Sequence, residues 1–160
     1  MEIDVLVDEG GAVPFAADWL RGIAEQVLAS ENAGSNAELS LLITGQDRIR
    51  QLNRDYRGKD EPTDVLAFAA TGEGGVESPS FVSPPDGVWH LGEVVISYPQ
   101  AVIQAAEHRH PVEQEIAILV IHGVLHLLGY EHDMPERERR MKAREAEILG
   151  LIKESWHEAG

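Results

Sequence analysis

The sequence predicts an α+β fold: a small, mostly mixed four-stranded sheet packed with helices, one of them buried at the centre. Three observations lead there. Four short segments carry strand patterns and are interleaved with helical ones. The stretch around Ile116 to Leu128 is apolar nearly all round, as a buried helix is. That same helix carries His122 and His126, which an apolar core accommodates only if they have a partner. With 160 residues, 43% of them hydrophobic and 26% charged, the chain reads as one domain, 1–160, around one core. No repeat or shift of composition marks a boundary.

In chain order, Glu2 to Asp8 alternates Ile3, Val5 and Val7 with other residues and is expected to be a strand. Pro14 opens a helix to about Ala29, with Trp19, Leu20, Ile23, Val27 and Leu28 at helical spacing. A loop over Asn32 to Asn36 leads to a second strand, Glu38 to Thr44. A short helix from Gln46 to Tyr56 puts Ile49, Leu52 and Asn53 on one side. Asp64 to Ala69 is a third strand. Thr71 to Gly87 is rich in Gly, Pro and Ser without periodicity, so a flexible loop is expected. Glu93 to Ser97 is the fourth strand and Pro99 to His108 a helix. Pro111 suits the first position of the long buried helix, with Glu113 and Glu115 favourable near its N-terminus. Pro135 begins the last helix, to about Leu149.

The chemistry is concentrated in His122-Gly-Val-Leu-His126-Leu-Leu-Gly129-Tyr-Glu-His132. Residues four apart share a helix face, so His122 and His126 can aim at one point. Gly129 can take the left-handed conformation that ends a helix, returning His132 toward the same point. Three imidazoles with a fourth position open form a catalytic zinc site. The chain has no cysteine, so zinc must be held by His and carboxylate. Position 123 is Gly where H-E-x-x-H metalloproteases carry their glutamate base, which argues against peptide hydrolysis by that route. A glycine inside a helix costs about 1 kcal/mol against Ala, so a packing or access reason is expected. His90, His108, His110 and His157 lack metal-ligand spacing and are read as surface or cap residues.

The net charge of −15 argues against bulk attraction to nucleic acid. Arg48, Arg50, Arg54, Arg57 and Lys59 nevertheless cluster around a single acid, Asp55. A later basic group, Arg137 to Arg144, is interleaved with glutamates and reads as a solvated helix. The first residues lack a basic region followed by an apolar run, and no apolar stretch reaches the roughly 18 residues of a membrane span. A cytoplasmic protein is expected.

With these residues in view, the chain resembles the YbeY family of bacterial metal-dependent endoribonucleases, also called rRNA maturation factors. The family's H-G-x-L-H-L-x-G-Y-D-H is matched from His122 to His132, with Glu131 for the usual Asp. A second block is matched from Leu52 to Leu66 and a third from Leu91 to Ser97, again with Glu93 for Asp. Ala67 and Ala69 stand where the family usually has Ser and Pro, so a substrate contact through that hydroxyl is not carried over. The loop from Thr71 to Trp89 looks longer than usual. The resemblance implies a zincin-like fold without the glutamate base, and His122, His126 and His132 on one Zn²⁺. It implies cleavage of single-stranded RNA in maturation of the small-subunit rRNA 3′ end and in ribosome quality control, with the ribosome or a ribosomal protein as partner. It places a catalytic arginine on Arg57, whose planar fork of donors suits phosphate. Its other reading is a cap on the 46–56 helix. Arg50, Arg54 and Lys59 are candidates for following the RNA backbone. Glu131 and Asp133 are candidates for orienting a ligand imidazole.

Two alternatives stay open. One is a zinc hydrolase of another class. The lack of cysteines and of an H-x-E motif argues against a nucleoside deaminase. The other is a non-catalytic, metal-stabilised ribosome-assembly factor, which would need a fourth protein ligand to close the site.

Overall fold

A computed structural model of the chain describes residues 2–8, 17–33, 36–61, 63–69, 89–130 and 134–159. The elements are β1 (Glu2–Val7), α1 (Ala17–Ser30), β2 (Ala37–Thr44), α2 (Gln46–Arg57), β3 (Val65–Ala69), β4 (Trp89–Ser97), α3 (Tyr98–His108), α4 (Val112–Leu127) and α5 (Pro135–Ala159). The sheet order is β1-β2-β4-β3. β2 lies parallel to both β1 and β4, while β3 runs antiparallel to β4 at the edge. The mixed sheet expected from the sequence is therefore present.

Strand alternation divides the core. Leu39, Leu41, Ile43, Val94 and Ile96 face the main cluster, built with α1, α4 and the inner residues of α5. Leu42, Leu66 and Val95 point the other way and close a smaller cluster with Ile49 of α2. The apolar girdle of α4 explains its central place. Ile116, Ile121, Val124 and Leu125 are fully buried, and each such side chain contributes about 1.5–3 kcal/mol when removed from water. That burial leaves α4 one rotational setting, and with it one direction for its histidines. Gly123 has the packing reason its position implied. A Cβ there would stand 2.5 Å from Val94 Cγ1, so its absence lets α4 lie directly on β4.

Several boundaries differ from the sequence reading. α5 continues to Ala159, and Ile152 carries the buried stripe of Met141 and Ile148 past Leu149. β4 begins at Trp89, four residues early, because its parallel register with β2 runs back to Ala37 across a bulge near Glu38 and Leu39. Pro111 is the N-cap of α4, not its first helical residue: ψ of 152° keeps it extended, and Gln114 and Glu115 donate to its carbonyl. The start of α1 at Pro14 and the 71–87 loop lie outside the described residues. Among the described residues no helix is long and apolar enough to cross a membrane.

Candidate active site

His122 and His126 project from the same face of α4, with ring centroids 5.3 Å apart and planes tilted by 65°. Neither ring is deeply buried. His122 Nδ1 lies 2.5 Å from Glu145 Oε2 on α5. A carboxylate accepts, so Nδ1 carries the proton and Nε2 carries the lone pair, the tautomer of a metal ligand buttressed by a carboxylate. After α4, Gly129 has φ of +108° and turns the chain as its position implied. Tyr130 then anchors the turn: its hydroxyl donates to Glu31 Oε1 at 2.9 Å, and its backbone N–H reaches Leu125 O. Burial, followed by the Glu31 hydrogen bond, raises the Tyr130 pKa. Arg144 of α5 also donates to Glu31 and to the Ser30 carbonyl. His132, Glu131 and Asp133 lie outside the described residues. The donor chemistry fits zinc: two imidazoles, one of them held by a carboxylate, in a chain without cysteine.

The basic segment lies on the other side of β3. Buried Asn53 organises it, donating to the Glu61 carbonyl and accepting from the Lys59 N–H. Gly58, at φ of +71°, caps α2 through its own N–H on the carbonyls of Arg54 and Asn53. The Arg57 side chain is turned instead toward β3, with Nη2 3.5 Å from the Ala67 carbonyl. Ala67 pairs with Val94, and Val94 abuts Gly123, the neighbour of His122. Arg57 thus reaches the sheet edge two side-chain steps from the histidine helix. Tyr56 beside it is exposed and packs on Phe68, with centroids 5.4 Å apart. Arg50 is paired with Asp60 at 2.8 Å and Arg54 lies 3.4 Å from Asp55, so part of this local charge is met within the fold. Lys59 is exposed.

Two features escaped the sequence reading. Glu145 hydrogen-bonds His122, and it belongs to the charged helix expected to be merely solvated. His108 is exposed as expected at the end of α3, while His110 is largely covered; both rings meet the buried Glu115 carboxylate, and the three form a group able to hold a metal ion, which their spacing did not suggest. Glu115, expected only to favour the helix N-terminus, is buried. Burial raises its pKa, but the hydrogen bonds from His110, His108 and Gln104 outweigh that and leave it lowered.

A mixed sheet beside a central helix that presents paired imidazoles is a frame on which a metal-dependent hydrolase can be built. The comparisons narrow that class. The family model for endoribonuclease YbeY matches residues 12–153. Proteins named endoribonuclease YbeY from Dehalococcoides mccartyi, Roseiflexus castenholzii and Geobacillus thermodenitrificans are 45%, 43% and 41% identical. The alignments cover 96%, 94% and 93% of this chain and 91%, 92% and 94% of those relatives. The solution structure of a Thermotoga maritima protein, 24% identical, shares the fold with a TM-score of 0.63 over 98% of this chain and 93% of that one. The chain belongs to the endoribonuclease YbeY family, and so to the RNA-cleaving hydrolases.

Proposed function

We propose that this protein is a zinc-dependent endoribonuclease that cleaves single-stranded RNA, acting on the 3′ end of small-subunit rRNA and in ribosome quality control. The observation that carries the reading is the imidazole pair of α4, with His122 oriented by Glu145, beside the strand edge that Arg57 reaches. His122, His126 and His132 would hold the zinc. When bound, the metal supplies an activated water near neutral pH and polarises a phosphoryl oxygen. Glu145 keeps the His122 ring in the required tautomer. Arg57 binds a non-bridging phosphate oxygen and neutralises charge that grows during in-line attack. Ala67 leaves its backbone carbonyl, not a hydroxyl, at the edge where Arg57 rests. Lys59 and Arg54 follow the RNA backbone; Arg50 contributes less, being engaged by Asp60. With a net charge of −15 the protein gains little from non-specific attraction to RNA, which favours delivery of substrate by a ribosomal partner in the cytoplasm.

The test compares native protein with His126→Ala and Arg57→Glu for metal content and cleavage of end-labelled single-stranded RNA. His126→Ala is expected to lose both the zinc of this site and cleavage. Arg57→Glu is expected to lose cleavage while keeping zinc and melting temperature. Normal cleavage by Arg57→Glu would remove Arg57 from the mechanism, and full activity in metal-stripped protein would overturn the zinc reading.

A further inference from the structure

We propose that His108, His110 and Glu115 form a second divalent-metal site, separate from the one assigned to His122, His126 and His132. His108 ends α3, His110 lies in the connection and Glu115 is in the first turn of α4. His108 Nδ1 is 3.1 Å and His110 Nε2 2.5 Å from the same Glu115 oxygen, Oε1. The ligand atoms lie within 4.8 Å of one another. Glu115 is 3% exposed and His108 55%, so a buried carboxylate forms the floor and solvent has access from the His108 side.

The charge balance favours an ion. The described hydrogen bonds to Glu115 come from the two histidines and Gln104, and from no lysine or arginine. An imidazole neutralises a carboxylate only when protonated. A divalent cation does so with both rings neutral. Two imidazoles and one carboxylate form a donor set used by zinc, and imidazole suits Zn²⁺, Co²⁺ and Ni²⁺ over Mg²⁺ or Ca²⁺. Glu115 and His122 are seven residues apart on one face of α4, about 10.5 Å along the axis. Ions acting together in two-metal catalysis lie about 3.5–4 Å apart, so this site is independent.

Its role is to brace the substrate edge. Glu115 Oε2 accepts from Gln104 at 2.9 Å, and Gln104 also donates to Asp64 at 3.3 Å. Asp64 accepts the Val65 N–H at the start of β3, and its carbonyl accepts from Ser97. An ion at Glu115 therefore ties α3 and α4 to the strand that Arg57 contacts.

Untagged protein is stripped with chelator, dialysed against Zn²⁺ at neutral pH and weighed by native mass spectrometry. Two ions per chain are expected in the native protein, one in His108→Ala, one in His126→Ala and none in the double variant. His108 is exposed enough for its replacement to leave the fold intact, which the melting temperature checks. A native protein holding one ion that His126→Ala removes and His108→Ala keeps overturns the second site, leaving a hydrogen-bonded network. So does a count of two that survives in both His108→Ala and His110→Ala. A count lowered by His108→Ala but not by His126→Ala sustains this site while the histidines of the proposed active centre fail.

Discussion

Gly123 shows how much one missing methyl group decides. Gly123→Ala would normally gain about 1 kcal/mol of helix propensity. Here the new Cβ meets both Val94 methyls and the Val94 Cβ itself, at 3.3 Å, and a β-branched residue has no rotamer of escape. Overpacking of this kind costs about 1–3 kcal/mol, so a net loss of up to about 2 kcal/mol is expected in denaturant unfolding. Adding Val94→Ala should destabilise by less than the sum of the two single losses, because the second change removes the clash. Strict additivity would mean that α4 does not rest on β4 at this point. A gentler residue test concerns Asp60, whose pKa is lowered by the hydrogen bond from Arg50. A lowered carboxyl stabilises the fold above its ordinary range near 3.8 and loses that contribution as pH falls through the lowered value. In Arg50→Ala, a carbon-13 carboxyl titration should show Asp60 back near its ordinary value, with little change in melting temperature, since the pair is exposed.

Helices and strands with clear periodicity were legible in the sequence. Those bounded by tertiary pairing were not. The HxxxH pair and the turn at Gly129 follow from helix geometry alone, so the reading and the structure agree there. Glu145 was illegible because an evenly charged helix does not announce which glutamate faces inward. The His108, His110 and Glu115 group was illegible because its spacing crosses the break between α3 and α4, where no single period applies. His132, expected as a third ligand, and the 71–87 loop lie outside the described residues, so the structure bears on neither. The seam between α1, the turn after α4 and α5 depends on Glu31, which accepts from Tyr130 and from Arg144. Tyr130→Phe removes one hydrogen bond and is expected to cost about 1 kcal/mol. Arg144→Ala leaves a half-sequestered carboxylate and the Ser30 carbonyl without that donor, and about 1–3 kcal/mol is expected. Thermal melts of both variants check the order, and an Arg144→Ala loss smaller than that of Tyr130→Phe would contradict it.

At the scale of the molecule, the proposed zinc would be coupled to the fold through protons. Imidazole must be neutral to bind zinc, so affinity falls as pH drops through the usual histidine range near 6.5. An ion bound only by the folded state adds about 2.7 kcal/mol at a hundredfold excess over Kd. Chelator is therefore expected to lower the melting temperature of zinc-loaded protein at pH 7.5 and to change it far less near pH 5. His126→Ala should lose the part of the chelator effect that the α4 site supplies, and the double variant with His108→Ala should lose most of it. Identical melts with and without chelator at pH 7.5, from protein shown to carry zinc, would contradict this coupling. The sheet order carries a consequence in time. β3 precedes β4 in the chain, yet among the described residues β4 is its one neighbour in the sheet and separates it from β2. As the chain leaves the ribosome, β1, α1 and β2 can assemble with what has already emerged, but β3 must wait for β4 to arrive. The edge on which Arg57 rests is thus built only after the 70–88 segment has passed, and a nascent chain that ends before Trp89 has no partner strand for β3.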